Sequence, residues 1–492
     1  MTNSTETNQT LIRGLGLIAA ISIIIGNVIG TGVFLKARVM TCNVGSPTWV
    51  IIVWIAAGLL TLAGALTYAE LTAMRPQAGA EYVLLRDAYG RASSFLYGWM
   101  QMFIAKPGAQ AAVGIAFAIG LNDFMGGKVL ESAVFIRTSL FGMPFEVSMI
   151  QVVAIMVIVI FTTLNCASVS FSGQIATALT GVKIALIAFV GLGAFLFVTG
   201  DFGNFSLIES GGACENVSGA VRYGSSNYSF AAGFGAAMLG ALWGYDGWNN
   251  LTFVAGEVEN PNRNIPLAIV GSAVLIVILY VFVHVGYFYV LDPTTIASVS
   301  KDSSVAKELV SRFFGGDMLT FATGFSVALF TVGLMISSLG TLHTSILTGS
   351  RIPYAMAQDG FMHKALGHLS VSNVPVPALL FQGVLAIILA LSGSFDSLTN
   401  YVIFGSWIFY LLVTSTIFVF RRRYPDAERP YKALGYPVVP IVFVIVAGWL
   451  IYNTIVTEPM QSITGLILIA LGLPVYYYFS RKNREGKQES SS

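Results

Sequence analysis

ISIIIGNVIGTGVFL (21–35) and AAMLGALWGYDGWNNLTF (236–253) are the two stretches whose reading decides the fold. Each is apolar enough to lie in a bilayer, and each carries a cluster of glycines: Gly26, Gly30 and Gly32 in the first, Gly240, Gly244 and Gly247 in the second. A glycine inside a helix costs about 1 kcal/mol relative to alanine. The spacings Gly26-xxx-Gly30 and Gly240-xxx-Gly244 would also serve close helix packing. Two interruptions five spans apart, at corresponding places of two halves, weigh instead toward unwound backbone around a binding site at the membrane midplane. A broken helix exposes N–H groups where its second half starts and carbonyls where its first half ends. The donors suit a carboxylate and the acceptors an ammonium. The pattern predicts donors at Thr31 and Gly32 and carbonyls near Val28, Trp243 and Asp246, together a receptor for the zwitterionic head of an α-amino acid.

Composition supports a membrane setting. Of 492 residues, 55% are hydrophobic and 10% charged, with a net charge of +2, where soluble domains carry about 25% charged residues. This excludes a disordered chain and an ordinary cytosolic enzyme. With no basic stripe, no nucleic-acid partner is expected. Three cysteines and four scattered histidines give no disulfide framework and no metal-ligand spacing. No nucleophile–base pair stands out in the spans, so neither an enzyme nor a metal or other cofactor is expected. The N-terminal MTNSTETNQTLIRGLGL lacks the order of a cleaved signal peptide, and the first apolar run is expected to be retained.

The fold expected is an all-α polytopic membrane protein of twelve transmembrane helices, near 14–36, 46–74, 93–125, 149–165, 169–199, 230–256, 265–290, 317–348, 375–392, 395–420, 434–455 and 460–480. Spans 1–5 (14–200) and 6–10 (230–420) read as a 5+5 inverted repeat with helices 1 and 6 broken. Around them lie an N-terminal tail (1–13), an outer loop (201–229), spans 11 and 12 with a preceding basic loop (421–480) and a C-terminal tail (481–492). With both termini cytoplasmic, 16 of the 26 Lys and Arg fall in cytoplasmic segments and 8 outside, the bias of a cell-membrane protein in that orientation.

Several motifs make the chain recognisable. GNVIGTGVF (26–34) and WGYDGWNNLTFVAGEVENPNRNIPLAI (243–269) resemble the amino acid–polyamine–organocation transporters, most closely the L-type amino acid transporter branch and its bacterial members. IAKPGAQAAVGIAFA (104–118), GSRIPYAMAQDGFMHKAL (349–366) and RRRYPDAERPYKALGYPVVPIVF (421–443) fit the same resemblance, which runs from about residue 14 to about residue 455. It implies the leucine-transporter-type fold, alternating access, and substrate contact through Val28, Thr31, Gly32, Trp243 and Asp246. The family's eukaryotic light chains carry a Cys in the loop after span 3 that binds a heavy chain. The loop at 126–148 has none, so no disulfide-linked ancillary subunit is expected. Eukaryotic members usually have Gly at the position of Asp246, where some bacterial relatives have Asp.

Ionisable residues inside spans are costly and mark function. Lys183 lies in TALTGVKIALIAFVGLG (177–193). By the resemblance it stands where sodium-coupled relatives bind a sodium ion, and would donate to span 1 carbonyls and to span 8 near Ser337 or Ser338. Lys106, next to Pro107, faces a cavity or pairs with Asp246 or Glu70. Asp246 reads first as a cap on the second half of span 6, and second as a pocket carboxylate. Trp243 reads as a lid over the substrate, with Tyr401 and Trp407 as weaker pocket candidates. Glu70, Glu257 and Glu259 with Arg75, Arg86, Arg263 and Arg351 are candidate cytoplasmic gate pairs. His284 and His343 read as structural. Cys42 and Cys214, both in expected outer loops, are left open as a disulfide. The function expected is sodium-independent carriage of neutral L-amino acids by exchange. The alternatives are a proton symporter using Lys183 and, from another class, a membrane-embedded receptor or enzyme.

Overall fold

The computed structural model describes residues 11–489, except 126–128, 131, 141–142, 210, 215–216, 301–302, 316–320, 393–394 and 458. The helices, in chain order, are α1 (Leu17–Val28), α2 (Gly32–Val44), α3 (Pro47–Met74), α4 (Ala80–Tyr89), α5 (Arg91–Met100), α6 (Lys106–Phe124), α7 (Met149–Asn165), α8 (Val169–Leu196), α9 (Phe230–Tyr245) and α10 (Pro261–Val290). They continue with the short α11 (Pro293–Ser298) and α12 (Val305–Val310), then α13 (Phe321–Gly349), α14 (Arg351–Gln358), α15 (Val376–Ser392), α16 (Phe395–Arg423), α17 (Val438–Thr457), α18 (Pro459–Ala470) and α19 (Gly472–Glu489).

Among the described residues, nine helical stretches are long and apolar enough to cross a membrane, against the twelve expected. The difference has a physical origin. α7 and α15 are apolar but only 17 residues long, and the stretch expected as span 6 divides into the 16-residue α9 and a 3₁₀ segment, Asn250–Glu257. The all-α expectation also needs amending: an antiparallel hairpin, β1 (Val134–Leu140) with β2 (Met143–Ser148), connects α6 to α7. Its exit is set by a capping box, in which Ser148 and Gln151 satisfy the first amides of α7 reciprocally.

The distribution of side chains is that of a protein dissolved in lipid. Large apolar groups such as Ile160, Leu196, Ile278, Phe321 and Ile445 face outward, while Lys106, Lys183, His284, His343 and Arg351 are buried inside. A ring nitrogen of each buried histidine meets a backbone carbonyl, Nδ1 of His284 that of Tyr280 at 2.7 Å and Nε2 of His343 that of Ser172 at 2.9 Å. Around Pro107, which has no N–H to give to the preceding turn, the helix widens into a π-turn over Gln101–Ala105 joining α5 to α6.

The N-terminal segment and the C-terminal helix meet the same face. Gly14 and Leu15 donate to the Glu257 carbonyl at 3.0 Å, and the buried Arg351 guanidinium forks onto the Glu257 carboxylate at 2.8 and 2.7 Å. Just beyond α14, Gly360 accepts from Asn483 of α19. We call this the terminal face. Glu257–Arg351 is one of the expected gate pairs. The others regroup: Glu70 binds Arg421 bidentately, with Arg429 at 3.3 Å, Arg86 binds Asp359, and Arg75 lies 3.7 Å from Asp87.

On the opposite face Cys42 and Cys214 form a disulfide. Cys42 sits in the last turns of α2 rather than in a loop, because the apolar run continues to Val44. The bridge pins the 197–229 segment to the end of α2, helped by Tyr223 N–H on the Cys42 carbonyl at 2.8 Å and Glu209 N–H on the Gly45 carbonyl at 2.7 Å. A cross-link closing 172 residues stabilises by about 2–5 kcal/mol. The double variant Cys42→Ser/Cys214→Ser is expected to melt several degrees lower in detergent, while reducing agent lowers the wild-type melting temperature and leaves the variant unchanged.

Candidate functional site

Both glycine clusters interrupt their helices. α1 ends at Val28. Ile29 leaves helical geometry, and the Gly30 amide folds back onto the Val28 carbonyl at 2.8 Å. α2 restarts at Gly32, and Thr31 makes no side-chain cap, so the first amides of α2 are the orphan donors of any helix start. α9 ends at Tyr245. Asp246 is extended, and Gly247 takes φ +102, a conformation that glycine supplies without strain. A Cβ on Gly247 would lie 2.8 Å from that of Asn27, so the two breaks abut.

The breaks also touch where α2 passes α9. A Cβ on Gly32 would stand 2.6 Å from the Gly244 Cα. The hydroxyl of Tyr280, on α10, lies 2.9 Å from both the Val28 and Gly244 carbonyls and bridges them. The Lys183 ammonium, fully buried on α8, donates to the Gly26 carbonyl at 2.6 Å, the Ile29 carbonyl at 2.5 Å and Thr341 Oγ1 at 2.7 Å. The partner on α13 is therefore Thr341, one turn beyond the residues expected. Ser337 instead donates to the same Ile29 carbonyl at 3.2 Å, and Ser338 bonds back to Leu334 of its own helix.

A cavity of about 60 Å³ lies between the breaks and the faces of α6 and α16. Val28, Thr31, Gly32, Trp243, Asp246 and Lys106 all line it, so the structure brings these candidates together. Asp246 does not cap the second half of the broken helix. Its carboxylate accepts from Tyr410 of α16 at 2.8 Å, and the 3₁₀ segment begins behind Asn249 with no side-chain cap. Lys106 meets neither expected partner. It donates to Asn250 Oδ1 and lies 4.2 Å over the Phe253 ring; Glu70 is engaged elsewhere. Trp243 also lines a second cavity of about 210 Å³ toward the disulfide face, together with Lys36, Trp407 and Thr454. The indole thus stands between the two spaces. Trp407 belongs to that second cavity and stacks on Phe443. Tyr401 lies on α16, its side chain outside the described residues.

Tyr280, Tyr410, Asn250 and Thr341 escaped the sequence reading. Nothing in the pattern separates Tyr280 and Tyr410 from the chain's other tyrosines. Asn250 and Thr341 carried a weak signal, being polar residues in apolar runs. Because backbone faces backbone at Gly32 and Gly244, Gly32→Ala is expected to overpack the crossing by about 1–3 kcal/mol and to lower the melting temperature. Gly271→Ala, where a Cβ meets nothing within 4 Å, serves as the neutral control.

Comparison with known proteins agrees with this geometry. The chain is 29% identical over 480 residues to the b(0,+)-type amino acid transporter 1 of Mus musculus, covering 97% of this chain and 90% of that protein. It is 29% identical over 483 residues to the serine/threonine exchanger SteT of Bacillus subtilis (strain 168), covering 97% and 99%. It is 28% identical over 471 residues to the human cystine/glutamate transporter, covering 95% and 85%. The amino acid permease family model matches residues 15–478. With multiple apolar helices and two broken ones around a central cavity, the chain belongs to the amino acid permease family of the amino acid–polyamine–organocation superfamily, and is an amino acid transporter rather than an enzyme.

Proposed function

We propose that this permease exchanges neutral L-amino acids without sodium, by alternating access in a cell membrane. The observation that supports it best is the Lys183 ammonium on the Gly26 and Ile29 carbonyls and Thr341. A fixed positive charge satisfies the unwound oxygens that would otherwise call for a metal cation. In this reading the substrate carboxylate takes the orphan amides at Thr31 and Gly32, and its ammonium takes carbonyls at the ends of α1 and α9. Lys106 and Asp246 line one cavity with opposite charges, so a neutral side chain fits its balance. Trp243 closes the path toward the disulfide face, and the Glu257–Arg351 pair the path toward the terminal face.

The reading includes twelve crossings, with α7, α15 and the divided α9 stretch counted as spans, and a 5+5 repeat over 14–200 and 230–420. The terminal face is taken as cytoplasmic. The excess of basic residues there and the Cys42–Cys214 bridge on the other side support this. No ancillary chain is invoked, since 126–148 contains no cysteine.

The test is counterflow in proteoliposomes with labelled alanine, leucine, arginine and glutamate, with and without internal amino acid, sodium and a pH gradient. Uptake that needs internal neutral amino acid and ignores sodium is expected. Uptake driven by a pH gradient into empty vesicles would instead favour proton symport through Lys183. Lys183→Ala leaves the buried Gly26 carbonyl without its donor, at about 1–3 kcal/mol, and the Ile29 carbonyl with Ser337 in place of the ammonium, and is expected to cut exchange at least tenfold. Wild-type exchange in that variant would sink the proposed role.

A further inference from the structure

Glu81 is a fully buried carboxylate on α4, in the connection between α3 and α5 rather than in a span. Its Oε1 accepts from Asn249 Nδ2 at 2.6 Å and Thr252 Oγ1 at 2.9 Å, and its Oε2 accepts from Tyr97 OH at 3.0 Å. All three donors are neutral, and among the described residues no salt bridge reaches it. The other groups facing it are the Tyr68 hydroxyl of α3, Lys106 of α6 and Tyr410 of α16. Asn249 and Thr252 flank the start of the 3₁₀ segment that follows the second break, and the Phe253 carbonyl accepts from the Gly79 amide at 2.9 Å. Glu81 therefore sits on the seam between that segment and the α4–α5 connection. A hydrogen-bonded path runs from it through Asn249 (3.3 Å to Tyr410 OH) and Tyr410 to Asp246 at the cavity.

In the alternating-access reading, opening toward the terminal face parts this seam, strips Glu81 of Asn249 and Thr252 and admits water. We propose that Glu81 is a proton-binding site that latches the terminal-face gate, taking a proton from water on that side as the seam closes and returning it as the seam opens. The inference rests on the transport reading above. Burial pushes the Glu81 carboxyl up to about 7 in this closed state, against the three hydrogen bonds and Lys106, which pull it down. Wetting returns it toward the ordinary carboxylate range. The proton therefore binds the closed form more tightly: closure is favoured as pH falls through about 7, and the preference is lost above it. Between about pH 8 and about pH 6 the ratio of closed to open forms rises about tenfold.

Two measurements test this. Infrared difference titration of the purified protein reads the site without transport: a buried carboxyl band titrating near pH 7 is expected in wild type and absent in Glu81→Gln. Tyr97→Phe removes one donor to the carboxylate and is expected to move the titration upward by up to about one unit. In proteoliposomes, exchange is expected to fall up to about tenfold from pH 8 to pH 6 in wild type, to lose that step in Glu81→Gln, and to shift its inflection upward in Tyr97→Phe. A structural role alone would not move an inflection. A band that survives Glu81→Gln, or a pH profile unchanged in Tyr97→Phe, overturns the latch. Absence of exchange in wild type while the band behaves as expected would count against the transport reading and leave the proton site standing.

Discussion

Backbone released from a helix inside lipid must find partners within the protein, because no water is present to supply them. Everything distinctive about this chain follows from how that demand is met at Ile29–Thr31 and Asp246–Gly247. Lys183 holds two carbonyls of the first break, and Tyr280 ties a third to the second break. What is left over, the amides where α2 begins and the carboxylate of Asp246, faces a small cavity rather than lipid. The permease family's task calls for such a remainder: polar groups fixed in place and turned toward a cavity.

The same demand explains why neutral side chains recur around the charged ones. Lys106 rests on an amide oxygen and an aromatic face, Asp246 on a phenol, Glu81 on an amide and two hydroxyls. At the terminal face, by contrast, charges meet charges directly: Arg351, Arg86 and Arg421 pair with Glu257, Asp359 and Glu70. Bidentate pairs give these contacts geometric specificity.

Much of this was legible in the sequence because its cause is local. Glycines also sit inside the unbroken α3, α8 and α10, so it was the pairing of two clusters at corresponding places of the two halves that made both interruptions and the residues beside them legible. The cost of an ammonium deep in a span marked Lys183 as functional, and the family resemblance placed it on the first break. What could not be read depends on side-chain register between helices distant in sequence. Thr341 rather than Ser337 or Ser338 meets Lys183 because of how α13 is rotated against α8. Tyr410 reaches Asp246 because α16 crosses there. The ion pairs of the terminal face re-sorted for the same reason, since charge type narrows the partners and only the packed loops choose among them. The hairpin before α7 was missed because its strands fall in a short polar-flanked stretch read as loop.

The bridge between Cys42 and Cys214 has a mechanical consequence. It fastens the far end of α2 to the chain that leads directly into α9, and these two helices already touch at Gly32 and Gly244. Joined at both ends, they form a single yoke above the two unwound turns. Such a yoke ties the two broken helices to one another, so neither can rearrange without carrying its partner.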